Sequence, residues 1–268
     1  MTPRPSVPAD VRQQLRNEAL FGCCRCGKSV YQYHHIIPYE TEAHFRPDDM
    51  MILCPECHDM ATKRILTEAK QRQFKNNPHN RKHGFSKGKL WVNEAAGTVL
   101  LSDTSLIGCG CFVSVGGKCL VRLDVGAEGN LELSTELRNK ADDLLLKIER
   151  NEWTMGDPKL WDLASDYQYL KLRSKPNDIL LEINAKSETL RVRAKLWSQG
   201  TQINCGHSSI VVRSGSVKDM TLRGNKLSGQ RLAVSHDGRA AGIVPMNLHP
   251  DDPLFGLGAI GGDERRQE

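Results

Sequence analysis

Apolar residues at Val11, Leu15, Ala19 and Leu20 recur at helical spacing behind Asp10, which predicts a short amphipathic helix with Asp10 as its N-cap. The preceding residues, 1–9, are punctuated by prolines and are expected to be loose. From Phe21 to Met60 the chain is dense in Cys, His and Pro, a texture that suits short strands and loops. Ala61–Phe74 contains good helix formers and no breaker, so a second helix is expected there. Residues 75–89 carry Pro78, Gly84 and Gly88 among many cations, and their last part, 79–89, reads as a basic linker.

Beyond Leu90 the period changes to two. Leu190, Val192, Ala194 and Leu196 alternate with Arg191, Arg193 and Lys195, and Val121, Leu123 and Val125 alternate with Arg122 and Asp124. Such strands can bury one face and wet the other, as antiparallel sheets do. Turn signals such as VGG, GAEGN, KPND and SQG fall between the runs. Leu131–Asn151 fits either a helix or two strands around the polar turn NKADD, and the strand reading is preferred. The pattern predicts an α+β chain: a small N-terminal domain at 10–78, the linker, a mainly antiparallel β domain at 90–249, sandwich- or barrel-like, and a frayed, flexible tail at 250–268.

Composition narrows the class. The chain has 268 residues, 39% apolar and 26% charged, with mean hydropathy −0.47, which excludes wholesale disorder and fibrous architectures. No apolar run approaches the ~20 residues of a membrane span, and the first residues lack a signal-peptide core. A soluble, cytoplasmic protein with no membrane partner is the expectation. The formal charge of +5 is unevenly placed: residues 1–88 hold 14 Lys and Arg against 9 Asp and Glu, whereas 89–268 hold 23 of each. Between Lys63 and Lys89 the cations Lys63, Arg64, Lys70, Arg72, Lys75, Arg81 and Lys82 stand with a single acid, Glu68, a profile suited to a polyanion such as nucleic acid.

Nine cysteines without an export signal argue against a disulfide framework. Cys23-x-x-Cys26 and Cys54-x-x-Cys57 instead have ligand spacing: each pair places two thiolates on one tight turn, and two such knuckles close a tetrahedron around Zn²⁺. A shell of four sulfurs leaves no position for water, so this zinc is structural. Cys24 is the spare. The residues between the knuckles include the adjacent pair His34 and His35, and the second knuckle runs directly into His58.

This order of CxxC, HHIIP and DMMILCPECH resembles the HNH endonuclease family, whose ββα-metal site is often braced by two zinc knuckles; the resemblance covers about residues 10–80. It implies that His35 is the general base, that His34 and His58 are ligands of one catalytic divalent cation, Mg²⁺ or Mn²⁺, and that the substrate is DNA. Where the family carries Asn, this chain has Asp49, which either orients the loop or adds an anionic metal ligand. His44, in the same loop, is expected to be a surface histidine. The alternative function is a zinc-stabilised nucleic-acid-binding protein without catalysis.

The β-rich part shows no catalytic signature. Cys109, Cys111, Cys119 and Cys205 with His207 suggest a second metal site only weakly, and buried small hydrophobes are the preferred reading. Trp153, Trp161 and Tyr167 are expected to fill core or corner positions rather than stack on bases. This part is expected to recognise a target feature, a ligand or another copy of the chain, making a homo-oligomer. A nuclease head with such a module would suit restriction or phage defence.

Overall fold

A computed structural model describes residues 5–92, 98–156, 160–214, 217–235 and 238–246. The tail expected to fray lies outside the described residues. The N-terminal half opens with helix α1 (Ala9–Glu18), which buries Val11, Leu15 and Arg16 on one face. Pro8, not Asp10, takes the N-cap place; Asp10 sits in the first turn, where its charge suits the helix dipole. A two-stranded antiparallel hook follows, β1 (Gln32–His35) and β2 (Met50–Leu53), joined by a loop that ends in a single 3₁₀ turn.

The helix expected at Ala61–Phe74 is two helices, α2 (Pro55–Thr62) and α3 (Glu68–Asn76). Pro55 starts the first at its favoured N1 position, and the Thr67 side chain caps the second by accepting from Lys70 N. Between them Arg64 adopts φ 58°, which ends the first helix. The hydrophobic core of this region joins α1, the hook and α2 through Val11, Leu15, Ile36, the whole of Met50–Leu53 and Ala61.

The segment read as a basic linker has regular structure. Residues His79–His83 form the short helix α4, closed by Gly84 at φ +73°, and Ser86–Lys89 form strand β3. Burial explains the difference: Asn80 is 5% exposed and its amide donates to Leu20 O, the carbonyl that also accepts from Ser86 Oγ. Strand β3 pairs with Glu152–Met155, setting Gly88 opposite Trp153. A Cβ on Gly88 would lie 2.7 Å from the indole, so glycine is required there.

The chain divides into two compact units, 1–90 with 152–178 and 91–151 with 179–268. The sequence reading assigns 152–178 to the C-terminal domain; the structure packs them with the N-terminal unit. Asp162 supplies the reason. Fully buried, it accepts from Arg16 Nε at 2.8 Å and Arg16 Nη2 at 2.7 Å, and from Arg173 Nη2. Burial alone would lower the Arg16 pKa, but the bond to Asp162 outweighs it and the guanidinium is held above its ordinary value. Asp162→Ala would leave two guanidinium groups around an empty anion position, and is expected to destabilise this unit by about 3–5 kcal/mol, read as a lower urea midpoint.

The second unit is a large β region. One sheet runs in the order Ala241–Pro245, Gln230–Val234, Gly110–Val115, Lys118–Val125, Leu131–Arg138 and Leu144–Glu149. The two strands preferred for Leu131–Asn151 are thus present. Another runs through Asp178–Asn184, Thr189–Ser198, Thr201–Cys205, Ile210–Ser214 and Val217–Leu222. Neighbours are mainly antiparallel, but Thr98–Leu101 runs parallel to Thr189–Ser198, Thr104–Ile107 to Lys226–Ser228, and Gly110–Val115 to Gln230–Val234. The strand orders are open-ended, so no barrel closes among the described residues.

The remaining cysteines make no second metal site among the described residues. Against the expectation from cysteine usage, Cys111 and Cys119 on adjacent strands form a disulfide. Cys205 is buried, which pushes its thiol up to about 12, Cys109 is exposed, and His207 lies against Arg193. Trp153 fills a core position at 1% exposure, whereas Tyr167 is exposed and Trp161 is half-buried beneath the Arg173 guanidinium.

Candidate metal centre and histidine cluster

The first knuckle is a tight turn in which Gly27 N donates to Cys23 O at 2.8 Å and Cys23 N to Lys28 O at 2.9 Å. Gly27 sits at φ +76°, with Asn80 so close that a Cβ would fall 2.3 Å from its oxygen. The second knuckle uses the start of α2: Cys54 is its N-cap and Cys57 lies in its first turn. The Sγ atoms of Cys23, Cys26, Cys54 and Cys57 all lie within 4.8 Å of one another. Cys26 to Cys54 is 3.6 Å and Cys26 to Cys57 is 3.9 Å. Tetrahedral Zn–S bonds of ~2.3 Å demand S···S edges of about 3.8 Å, so the four thiols fit a zinc ion.

The same crowding splits the thiols. The bond from the Cys23 thiol stabilises a thiolate at Cys26, bringing it down to about 5, while Cys23 is pushed up by that bond and by burial. Burial raises Cys54 to about 11. Four neighbouring thiolates need a cation to coexist. Arg25 Nη1 lies 3.5 Å from Cys57 Sγ and adds positive charge at the rim. Cys24 stays outside the cluster, buried in the core, its N–H donating to Ile52 O at 2.9 Å.

β1 carries the histidine pair, with His34 opposite Met51 and His35 opposite Met50. Neighbours on a strand diverge, and these do. His34 turns toward the helices: its ring lies 4.9 Å from that of His58, edge to face, and its Nε2 is 3.0 Å from Gln71 Oε1. Gln71 is 6% exposed, and its own Nε2 donates to Leu66 O at 2.9 Å. That bond fixes the amide so that its oxygen faces His34, which puts the His34 proton on Nε2 and the lone pair on Nδ1. Burial, and then the neighbouring His58, bring the His34 pKa down to about 4, so the ring is neutral at pH 7, the form that binds metals.

His35 turns toward the loop, among the rings of Tyr39, His44 and Phe45. Its Nε2 lies 2.9 Å from His44 O. A carbonyl only accepts, so Nε2 carries a proton. The carbonyl is itself held in place. His44 is 7% exposed, not a surface residue: its Nε2 reaches Ile37 O at 3.2 Å and its Nδ1 accepts from Arg46 N at 3.2 Å. Both ring nitrogens are spent on the loop backbone, and no period or motif in the sequence marks that role.

Asp49 does not join the histidines as a third ligand. Its Oδ2 accepts from Arg46 Nε at 2.8 Å and its Oδ1 from Arg72 Nη2 at 3.1 Å, bonds that hold its carboxyl below the usual range. Its backbone oxygen accepts from Ile36 N at 2.8 Å, so the residue pins both ends of the loop. Gln71 and the Arg46–Asp49–Arg72 link are site features that sequence spacing alone did not single out. Among the described residues the only group of three or more metal-ligand side chains is the cysteine cluster.

The cations proposed to meet nucleic acid are divided in their attachments. Lys75 pairs with Glu18 at 2.8 Å, and Arg81 donates to Asn17 O at 2.6 Å, where the C-terminal carbonyls of α1 attract it. Arg72 is engaged by Asp49 and Glu68, Lys63 pairs with Asp59, and Lys70 meets Gln73. Arg64 and Lys82 are exposed.

Two cysteine-bearing turns, a two-stranded hook and a following helix that presents a histidine define a ββα unit whose four cysteines could hold a structural zinc. Residues 23–64 match the family model described as HNH endonuclease, and this part of the chain is an HNH endonuclease domain. No curated protein and no solved structure matched the chain. Among the described residues no helix is long and apolar enough to cross a membrane.

Proposed function

We propose that the protein is a metal-dependent endonuclease that hydrolyses phosphodiester bonds in DNA. The observation that carries this reading is the opposed placement of two imidazoles on β1, one beside His58 and the other on a fixed carbonyl, within a match to the HNH domain. His35 is the general base: Nδ1 takes the proton of the attacking water, and the Nε2–H bond to His44 O steadies the imidazolium that forms. His34 and His58 are the residues to hold a divalent cation, and Gln71 orients His34 as outer-shell partners orient metal-bound histidines. When bound, that cation supplies stabilisation of the phosphate charge and of the leaving oxygen. Asp49 holds the loop rather than the metal, through Arg46 and Arg72.

The β-rich unit then serves target recognition or regulation, and a restriction or phage-defence setting suits the pairing. The position of Asp49, where the family has Asn, favours a second reading as a nucleic-acid-binding protein without catalysis. Incubating supercoiled plasmid with the protein and Mg²⁺ or Mn²⁺ separates the two. Nicking or linearisation that requires the ion and stops with chelator is expected; binding without cleavage under either ion would overturn the nuclease reading.

A further inference from the structure

A cleft of about 470 Å³ lies in the N-terminal unit, between α1 and the strands Asp162–Asp166 and Tyr169–Lys175, on residues the histidine cluster does not use. We propose that it binds a nucleotide unit, a phosphate together with its base. Its volume falls in the range of small-ligand sites. One wall is a single face of α1, where Arg12 and Arg16 stand one turn apart. The other is one face of a strand, where Tyr169, Lys171 and Arg173 follow at alternate positions. Helical and strand periods thus bring four cations around one space, with Asp10 as the single acid in its lining.

The charge beneath the cleft is also unbalanced. Buried Asp162 serves both Arg16 and Arg173, so one carboxylate answers two guanidinium groups. Arg173 Nε is buried and has no hydrogen-bond partner. Positive charge so placed is costly unless an anion completes it, and a phosphate has oxygens enough for both the guanidinium and Lys171. Ala9 and Asp10, the first residues of α1, line the same space, and the helix has no side-chain cap there. The rings supply the rest of the recognition. Trp161 lies under Arg173 at 4.5 Å, and Tyr169 lines the same space, so a flat base can rest beside the charges. A sulfate-like site would need the cations alone.

The cleft also has a mechanical tie to the histidine strand. Arg16 Nη1 donates to Tyr33 Oη at 2.5 Å, and Tyr33 immediately precedes His34 on β1. A polynucleotide as the source of the nucleotide rests on the nuclease reading; the chemistry of the cleft does not.

The test uses the full chain carrying His35→Ala, so that substrate is not consumed, and compares it with the same chain carrying Arg12→Glu and Lys171→Glu. Fluorescein-labelled duplex and single-stranded 12-mers are titrated by anisotropy, and AMP by calorimetry. The double variant is expected to weaken oligonucleotide binding at least about tenfold and to flatten the log affinity against log salt slope by about 2, as loss of two phosphate contacts requires. AMP binding that the double variant abolishes identifies a free nucleotide as the source; oligonucleotide binding without AMP binding identifies the strand. Unchanged binding of all three probes, including none at all, overturns the proposal. Zinc content and melting temperature equal to the parent establish that the variant folds, and Arg12→Gln alone, at an exposed position, repeats the test if it does not. A wild-type chain that binds yet never cleaves leaves the cleft standing and removes only the nuclease reading.

Discussion

His35→Ala is expected to slow plasmid cleavage by about 10²–10⁴-fold while zinc content stays at the wild-type value. The factor is what a positioned base contributes to removing a proton from water. It is read from initial nicking rates at saturating Mg²⁺ or Mn²⁺. Zinc is untouched because the four thiols belong to the knuckles, and His35 faces the loop with Tyr39, His44 and Phe45. Truncation also opens space among those rings, so His35→Asn, which keeps most of the volume, is the companion variant. A rate within a fewfold of wild type for both would remove His35 from the chemistry. The contrast with His34→Ala sharpens the assignment. That change is expected to raise the divalent-ion concentration needed for half-maximal rate, whereas His35→Ala lowers the rate at every ion concentration.

A larger loss is expected from Cys54→Ser, at a residue that is 1% exposed and holds the N-cap position of α2, with its sulfur 3.6 Å from that of Cys26. A hydroxyl is a poor zinc ligand, and the three remaining thiols cannot close the shell. Structural zinc contributes about 10 kcal/mol or more to the folding of small metal domains. The hook is a pair of four-residue strands and cannot hold its histidines without that contribution. Zinc content by atomic emission is expected to fall to background, the melting transition of the N-terminal unit to disappear, and cleavage with it. Retention of one zinc per chain with full activity would show that the cysteines are not the brace.

What could be read from the sequence was what lies close along the chain. The knuckles were legible because a CxxC turn is defined by four successive residues, and the sulfur geometry agrees with that reading. The β-rich character beyond Leu90 was legible because a half-buried strand writes its period into every second residue. Helix boundaries were less so. Pro55 and Thr67 carried the information for two helices, but the run of good helix formers across Ala61–Phe74 concealed the turn at Arg64.

The rest depended on distant partners. Arg16 and Asp162 are 146 residues apart, and neither has a neighbour pattern that announces the pair. His44 reads as a surface residue until the loop is seen to fold its ring onto Ile37 O. Gln71 is a polar residue on a mostly polar helix, and only the tertiary fold shows that its amide is buried against His34. Cys111 and Cys119 were judged by compartment arithmetic, which says nothing of the strand pairing that sets them side by side.

The return of residues 152–178 to the N-terminal unit has a consequence for synthesis. During translation the hook and its knuckles leave the ribosome long before Asp162, so the buried Arg16 guanidinium waits for its counter-charge while the whole of 91–151 is made. The N-terminal unit is therefore discontinuous in the chain, and a premature stop before Asp162 would release a head whose buried Arg16 lacks its carboxylate partner.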